Sequence, residues 1–292
     1  MIAVDWGSSS LRGYWLDDAG AIIEQRASGR GILHCEDNFA DVLAELMDGW
    51  PDRTILLSGM IGSRSGWIEQ AYLPCPARLA DLAAALHLHH DERLPGRDIW
   101  FVPGVAVQGA GGTPDVMRGE ETQLFGLDAG AGVAQACLPG THCKWAMLHD
   151  GAITGFATAM TGELFALLRQ HSLLGRLMDD GDSFDATAFA QGVQRSGEAG
   201  GLLHHLFGVR ALGLFERLSA LAAPSYLSGV LLGHEIRALA DASAKVHLVG
   251  SAALTARYGH ALQLLGITPV NAPENLAARG LYRLARQRGL LD

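Results

Sequence analysis

No apolar run in this sequence approaches the roughly 20 residues that a membrane-spanning helix needs, so no membrane partner is expected. Asp5 interrupts the apolar start, so no signal peptide is visible, and a cytoplasmic location is expected. The four cysteines form no CxxC pair, which favours idle thiols in a reducing compartment. These absences indicate a globular cytoplasmic protein.

The sequence also has no basic stripe, and its formal net charge is -9, which argues against a nucleic-acid partner. A glycine-rich loop is predicted at 103–112, and because it lacks the GxGxxG pattern, a dinucleotide fingerprint is not supported. If the substrate is anionic, a few local arginines must hold it against the overall field. The chain's 292 residues suffice for one large or two medium domains.

The opening stretch, residues 1–16, predicts two strands joined by a tight turn. The first strand ends in Asp5, and the turn contains Gly7, Ser8, Ser9 and Ser10. Backbone N–H groups of such a turn can point at a phosphate, while a carboxylate at the strand end can hold Mg²⁺. An ordinary hairpin with a capping Asp5 would use the same residues.

A polar loop follows the strand predicted at 54–57. It carries Arg64 and Trp67, with Tyr72 close behind. Open α/β sheets bind ligands at the carboxyl ends of their strands, which favours a binding role over a plain glycine-rich connection.

A helix is predicted over residues 79–88. His87, His89, His90 and Asp91 lie at its end and just beyond it. The histidine spacing fits no familiar metal site, so a solvated helix end is favoured there. A further short helix is predicted over 120–127, opening with Glu120 and Glu121 after Gly119. Acidic residues in a first helical turn are often only partners of the helix dipole.

Residues 133–162 repeat the pattern of residues 1–29. Both segments read as three strands, and in both the first two strands are joined by a turn of glycine and hydroxyl residues. The second turn contains Gly140, Thr141 and His142. An internal duplication is therefore predicted, with two turns that together would grip phosphates.

The second half is otherwise mainly helical, with helices predicted at 164–177, 185–193, 202–218 and 228–240. A strand at 245–249 then ends in Gly250, Ser251 and Ala252, which open another helix. A strand, a small-residue turn and a helix N-terminus suit a nucleotide, although close helix–strand packing needs the same small residues.

Five segments taken in order resemble one enzyme family. They are DWGSSSLR, SGMIGSR, DVMRGEETQLFG, PGTHCKW and GSAALTARY. Together they resemble the 2-dehydro-3-deoxygalactonokinase family within the sugar-kinase/actin superfamily, over nearly the whole chain. Two departures are visible: Ser8 stands where Thr is expected, and Cys143 stands where Ser is expected.

The resemblance implies an α/β fold of two duplicated βββαβαβ domains, of the ribonuclease H-like kind, with the active site in the cleft between them. It implies domains at 1–128 and 129–292, with the last helix packing back on the first domain. The implied reaction is phosphorylation of the 6-hydroxyl of 2-dehydro-3-deoxy-D-galactonate, a small sugar acid, by ATP and Mg²⁺ in galactonate breakdown. A homodimer is possible.

The site residues follow from the same resemblance together with the chemistry of phosphoryl transfer. Asp5 is expected to hold the metal, and Glu120, Glu121 or Asp115 to act as base, in that order. ATP would be bound by Gly7, Ser8, Ser9, Ser10, Gly140, Thr141, His142, Lys144, Gly250, Ser251 and Ala252. The acid would be bound first by Arg64, then by Arg12 or Arg118, with Trp67 or Tyr72 as a pocket wall.

Two rival functions remain open at this stage. One is a kinase of the same superfamily that acts on a different sugar or sugar acid. The other is an actin-like or chaperone-like ATP-driven binding module, for which the chain leaves little room beyond two compact domains.

Overall fold

The structure is a computed structural model that describes residues 1–181 and 183–291. The chain divides into two compact units. Unit 1 comprises Met1–Val133, Met147–Phe156 and Pro273–Asp292, and unit 2 comprises Ala134–Ala146 and Ala157–Ala272. The expected domain division at residue 128 stays a prediction.

The strands, in chain order, are β1 (Ile2–Trp6), β2 (Leu11–Leu16), β3 (Ile22–Ser28), β4 (Thr54–Gly59), β5 (Tyr72–Pro74), β6 (His87–His89), β7 (Asp98–Phe101), β8 (Gly104–Gln108), β9 (Pro114–Met117), β10 (Val133–Leu138), β11 (Cys143–His149), β12 (Ala152–Ala159), β13 (Val246–Leu248) and β14 (Pro269–Asn271). The α-helices are α1 (Phe39–Leu46), α2 (Leu79–Ala84), α3 (Glu120–Gly126), α4 (Thr161–His171), α5 (Ala186–Arg195), α6 (Gly201–Leu214), α7 (Ala223–Leu239), α8 (Ala252–Leu264) and α9 (Leu276–Arg288).

The first sheet has the order β3-β2-β1-β4-β7-β6. Strand β1 pairs antiparallel with β2 and parallel with β4, and β4 pairs parallel with β7. The side chains of Ile2, Val4 and Trp6 are fully buried in the core cluster that this sheet shares with α1. Because β1 is a central strand, its polar residue Asp5 near the strand end stands out against an apolar surrounding.

The second sheet repeats this order as β12-β11-β10-β13-β14. Strand β10 pairs parallel with β13, and β13 pairs parallel with β14. In each sheet a three-stranded meander is followed by parallel strands. The duplication expected from residues 1–29 and 133–162 is therefore present in the topology.

Two expectations for the first half were wrong. Residues 87–89 form strand β6, antiparallel to β7, so the helix beginning at Leu79 ends at Ala84 and the histidines do not follow a helix. The glycine-rich segment 103–112 contains strand β8, which joins β5 and β9 in a three-stranded sheet. A Cβ at Gly104 would lie 2.7 Å from the carbonyl oxygen of Met117, so this glycine permits strand contact.

Two helices of the second half end earlier than expected, α6 at Leu214 rather than at residue 218 and α4 before residue 177. Helix α4 ends at His171, and residues 175–177 form a separate 3₁₀ turn. Ser172 explains the break, because its hydroxyl oxygen accepts a 3.0 Å hydrogen bond from the N–H of Leu174. A Cβ at Gly175 would lie 1.7 Å from the carbonyl oxygen of Arg169, so the chain doubles back at the glycine.

Helices α3 and α9 pack against each other within unit 1 through two glycines. A Cβ on Gly126 would lie 2.1 Å from the carbonyl oxygen of Leu276, and one on Gly280 would lie 1.8 Å from that of Thr122. Arg283 Nη1 donates to the carbonyl oxygen of Phe125 at 2.8 Å. This contact fixes α3 and therefore the two glutamates at its start. Within residues 1–181 and 183–291 no helix has the length and apolar character to cross a membrane.

Candidate active site

The carboxylate of Asp5 lies at the end of β1, one residue before the strand ends. Its backbone is in register with Arg12 of β2 and Ser58 of β4. Burial raises the pKa of Asp5, and the nearby charge of Arg12 opposes that rise. The surroundings of Asp5 therefore suit a carboxylate that shares its charge with a cation.

The turn after β1 is held by its own backbone and by a neighbouring segment. Gly7 N–H donates to the carbonyl oxygen of Ser10 at 2.8 Å, and the carbonyl of Gly7 accepts from Ile32 N–H at 3.0 Å. The segment behind the turn passes so close that a Cβ on Gly31 would lie 2.4 Å from the backbone nitrogen of Ser9. The three serines are exposed, so the turn presents hydroxyl groups to the surface.

Gly119 brings the start of α3 beside Asp5. Its φ is 105°, which an L side chain rarely adopts, and a Cβ there would lie 3.1 Å from Cα of Gly59. The same Cβ would lie 3.9 Å from Oδ1 of Asp5, and a Cβ on Gly59 would lie 3.4 Å from that atom. Two glycines thus leave open space next to the carboxylate, and the two glutamates of α3 follow directly.

Glu120 and Glu121 lie in different environments although they are adjacent. Glu120 is half-buried, and its Oε2 accepts a 3.1 Å hydrogen bond from the N–H of Arg118. Glu121 is fully buried, and its Oε2 accepts from Gly119 N–H at 2.6 Å. Burial, together with the charge of Glu120, raises the pKa of Glu121 to about 8. Glu121 is therefore mostly protonated at neutral pH, and Glu120 is the more accessible carboxylate.

Asp115, the third candidate base, lies on β9 in register with Val107. Its Oδ1 accepts a 2.8 Å hydrogen bond from the N–H of Val116. A strand advances about 3.3 Å per residue, so Asp115 lies roughly 10 Å along the chain from Arg118. Asp115 is thus placed away from the start of α3.

Arg118 is the arginine that the structure buries next to these glutamates. Its side chain is 7% exposed, and Nη2 donates to the carbonyl oxygen of Gln70 at 2.7 Å. Its guanidinium lies over the ring of Tyr72, 4.4 Å from the ring centroid. For Nε and Nη1, the described residues supply no hydrogen-bond partner. Buried donors without partners are rare, so these two point to a missing ligand.

The other predicted substrate residues have different surroundings. Arg64 and Arg12 are exposed. Trp67 packs against the core of unit 1, with ring centroids 5.8 Å from Phe101 and 5.4 Å from His89. The structure brings Tyr72 together with Arg118, whereas the contacts of Trp67 are with the core.

Sequence reasoning missed two residues that position Arg118. Gln70 supplies the carbonyl acceptor, and Gly62 lies so close that a Cβ there would be 3.1 Å from Nη1. The spacing of Gly62 and Gly66 was the sequence signal for this loop. Gly66 N–H donates to the carbonyl oxygen of Ser63, so the loop turns back at this point.

In unit 2, the turn after β10 contains Gly140, Thr141 and His142. His142 Nε2 lies 2.5 Å from Oε2 of Glu163, and Glu163 N–H donates to the carbonyl of Thr141 at 3.0 Å. A Cβ at Gly162 would lie 2.4 Å from the carbonyl oxygen of Gly140. The N-terminal part of α4 therefore supports this turn.

Lys144 and the second predicted nucleotide segment also lie in unit 2. Lys144 is buried, and its Nζ donates to the hydroxyl of Thr158 at 2.8 Å. Gly250 has a φ of 153°, and a Cβ there would lie 3.6 Å from the carbonyl oxygen of Pro139. Ser251 and Ala252 follow at the start of α8. The two small-residue turns of unit 2 are thus neighbours.

The repeated sheet order, with a glycine-hydroxyl turn after the first strand of each repeat, defines the two-domain sugar-kinase and actin-like ATPase fold. The activator of a 2-hydroxyisocaproyl-CoA dehydratase from Clostridium difficile, solved with bound ADPNP, shares this fold. The match has a TM-score of 0.53 at 10% identity, over 99% of this chain and 96% of that one.

The chain belongs to the 2-keto-3-deoxy-galactonokinase family, whose family model matches residues 5–284. It is 37% identical to the 2-dehydro-3-deoxygalactonokinase of Escherichia coli strain K12, over 91% of this chain and 90% of that protein. It is 39% identical to a protein of Rhizobium meliloti strain 1021 named "Probable 2-dehydro-3-deoxygalactonokinase DgoK1", over 97% and 96% of the two chains. A solved structure from Sinorhizobium meliloti, named "putative 2-dehydro-3-deoxygalactonokinase protein", matches with a TM-score of 0.85. The two chains are 35% identical, over 99% of this chain and 98% of that one.

Proposed function

We propose that this protein transfers the γ-phosphoryl group of ATP to the 6-hydroxyl of 2-dehydro-3-deoxy-D-galactonate, giving the 6-phosphate and ADP. The observation that carries the proposal is the placement of the start of α3 beside Asp5, through the close approach of Gly119 to Gly59 and to the Asp5 carboxylate. Phosphoryl transfer needs positioned charge and a proton acceptor, and this corner of unit 1 supplies both. The names of the curated relatives supply the acceptor sugar acid.

Mg²⁺ fits the space beside Asp5. This ion prefers oxygen ligands and is commonly held by one or two carboxylates together with substrate phosphates. The two glycines leave room for it, because a Cβ at either position would approach Oδ1 of Asp5 to within 4 Å. When bound, the ion would neutralise charge on the phosphates. The exposed residues Ser8, Ser9 and Ser10 of the turn bind phosphate oxygens in this proposal.

Glu120 accepts the proton of the sugar hydroxyl. It is half-buried and follows the Gly119 turn, whereas Glu121 is fully buried with a pKa of about 8. A protonated carboxyl cannot accept a second proton, so Glu121 serves instead to position the start of α3. Asp115 is the remaining alternative, and its place on β9 gives it less support.

Arg118 binds the carboxylate of the sugar acid. Arg64 was the first choice from the sequence, but it is exposed, whereas Arg118 is buried with two guanidinium nitrogens unpartnered in the described part of the chain. A substrate carboxylate that accepted from Nη1 would satisfy that donor, and Nε–H, on the opposite side of the guanidinium, would be satisfied by a second oxygen of the substrate. Tyr72 holds the guanidinium plane from one side. Arg64 and Arg12 remain candidates for contacts with other parts of the substrates.

Unit 2 binds the nucleotide through its two neighbouring turns. Gly140, Thr141 and His142 contribute to phosphate binding, and Gly250, Ser251 and Ala252 contribute to adenosine binding. Gly250 has a positive φ and no side chain, and both features support a close approach of the flat adenine base. Lys144 donates a hydrogen bond to Thr158 in this structure. Its proposed role, neutralising charge on the phosphates, applies only when the nucleotide is bound. A cytoplasmic location and a homodimer also remain predictions.

The test is a coupled ADP-release assay with a panel of acceptors. We expect turnover with 2-dehydro-3-deoxygalactonate, and none with glucose or glycerol, which have no carboxylate for Arg118. Turnover with a different keto-deoxy acid alone would move the protein to another specificity within the kinase class. ATP hydrolysis without any acceptor dependence would instead favour an actin-like ATPase.

A further inference from the structure

Two thiols and a carboxylate meet in the core of unit 2, outside every role assigned above. They belong to Cys137 at the end of β10, Cys143 at the start of β11 and Glu235 in α7. One ligand atom from each lies within 4.8 Å of the other two. The two sulfur atoms are 3.5 Å apart, and neither cysteine forms a disulfide.

Two neutral donors hold the carboxylate of Glu235 in place. Trp145 Nε1 donates to its Oε1 at 2.7 Å, and the hydroxyl of Tyr258 lies 3.0 Å from Oε2. In the described part of the chain, no ion pair includes Glu235, although the residue is only 6% exposed. A buried carboxylate without a cationic partner is costly, so a cation at this point would offset a real penalty.

We propose that Cys137, Cys143 and Glu235 bind one Zn²⁺ ion. Zinc takes thiolate and carboxylate ligands in a tetrahedral arrangement, with Zn–S near 2.3 Å and Zn–O near 2.1 Å. Those lengths place two sulfur ligands about 3.8 Å apart and a sulfur and an oxygen about 3.6 Å apart. The observed sulfur separation is already close to this value, and a small rotation of Glu235 brings its oxygen into range.

Two neighbouring side chains support the ligands of the proposed zinc site. Trp145 and Tyr258 orient the carboxylate by hydrogen bonds, as residues behind metal ligands do. Because Tyr258 donates its hydroxyl proton to Glu235, the described residues supply three ligands, and a water molecule would take the fourth position of the tetrahedron. Binding releases the thiol protons, since the metal ligand is the thiolate. No oxidant or reductant is needed.

The site would stabilise one particular part of the chain. Cys137 and Cys143 border the turn at residues 139–142, so a shared ion would tie its two ends together. The turn is the one proposed above to bind phosphate, but zinc binding itself does not depend on that role.

The experiment starts from full-length protein stripped of metal with a chelator and kept reduced. After incubation with Zn²⁺ and desalting, we expect one zinc per chain by elemental analysis. Co²⁺ in place of zinc should give a thiolate charge-transfer absorption. Hydrogen exchange of residues 139–142 should slow when zinc is bound. None of these readouts depends on kinase activity.

Variants separate this site from chance binding. Cys143→Ser and Glu235→Gln should each weaken zinc binding by about 100-fold or more, since even outer-shell changes cost 10–100-fold. Cys35→Ser and Cys75→Ser, which alter the two other cysteines, should leave it unchanged. Circular dichroism checks the fold of each variant. The zinc content of the wild-type protein tests the proposal even if a variant does not fold.

Three results would overturn the proposal. The first is wild-type protein that retains no zinc after stripping and reloading. The second is zinc bound equally well by Cys143→Ser and by Cys35→Ser. The third is an intact mass two hydrogens lower, with Cys137 and Cys143 joined as a disulfide in the freshly purified protein.

Discussion

The backbone N–H of Gly119 donates a 2.6 Å hydrogen bond to Oε2 of Glu121, two residues further along the chain. The other oxygen, Oε1, is buried and has no hydrogen-bond partner among the residues described. Burial, reinforced by the charge of Glu120, raises the pKa of Glu121 to about 8, although the hydrogen bond from Gly119 opposes this rise. The start of α3 therefore holds one neutral acid directly beside the accessible carboxylate of Glu120.

The first prediction concerns the pH dependence of stability. The pKa of Glu121 is about 8 in the folded protein against a reference value of 4.5, so the folded state binds a proton that the unfolded state has lost. Its contribution to stability is complete below about pH 4.5 and is lost as pH rises towards about 8. Glu121→Gln, a neutral isostere, should unfold at a temperature that falls less over this range.

Thermal unfolding at a series of pH values measures the effect. Glu69→Gln is the control, because Glu69 is exposed in the loop before β5. Its unfolding curve should follow that of the wild-type protein. If Glu121→Gln also follows the wild type in parallel at every pH, the protonated state of Glu121 is ruled out.

The second prediction concerns the proton acceptor. Glu120→Gln should lower kcat by roughly 10²- to 10⁴-fold, because the amide cannot take the hydroxyl proton. The Kd for ATP should change little. Steady-state kinetics with the sugar acid and calorimetry with ATP provide the two measurements.

Asp115→Asn is the matched control for that change. Asp115 lies on β9, and we expect its amide variant to keep most of the wild-type kcat. A large loss in Asp115→Asn together with a normal Glu120→Gln would transfer the role to Asp115.

The third prediction separates the two arginines. Arg118→Lys keeps the charge but loses the planar guanidinium donors, and it should raise KM for the sugar acid by about 10- to 100-fold, since a hydrogen bond to a charged group contributes about 1.5–3 kcal/mol. KM for ATP should stay within a few-fold. Arg64→Ala should have a smaller effect on KM for the acid, because Arg64 is exposed. A larger effect from Arg64→Ala would instead assign the binding of the substrate carboxylate to Arg64, in the loop at residues 63–66.

The fourth prediction tests the support of α3 by α9. A Cβ at Gly280 would lie 1.8 Å from the carbonyl oxygen of Thr122, so Gly280→Ala must push the helices apart. We expect a loss of about 1–3 kcal/mol or more in the free energy of unfolding. Denaturant unfolding measures it.

Gly208→Ala is the matched control in helix α6. Nothing lies within 4 Å of the Cβ position there, so this variant should gain up to about 1 kcal/mol from helix propensity. Equal effects of the two substitutions would show that close packing at Gly280 does not decide stability.

Most of the strand and turn pattern could be predicted from the sequence because it is local. Strand β4 begins at the predicted residue, Thr54, and the turns at 7–10 and 139–142 lie where glycine and hydroxyl residues predicted them. Strand β8 was missed because its residues GVAVQ are flanked by glycines, which read as a loop until a neighbouring strand supplies hydrogen bonds. Strand β6 was missed because its three residues continue the apolar pattern of the preceding helix, and only pairing with β7 makes them a strand.

The sequence by itself determined the duplicated meanders, the Asp5 strand end and the two adjacent glutamates, because alternation, turn chemistry and spacing are written in consecutive residues. Only the tertiary structure decided which glutamate is buried and which arginine has unpartnered donors. It also brought Cys137, Cys143 and Glu235 together from residues as much as 98 apart in the numbering. Burial and pairing depend on the segments that pack around a side chain, and local sequence does not specify those neighbours.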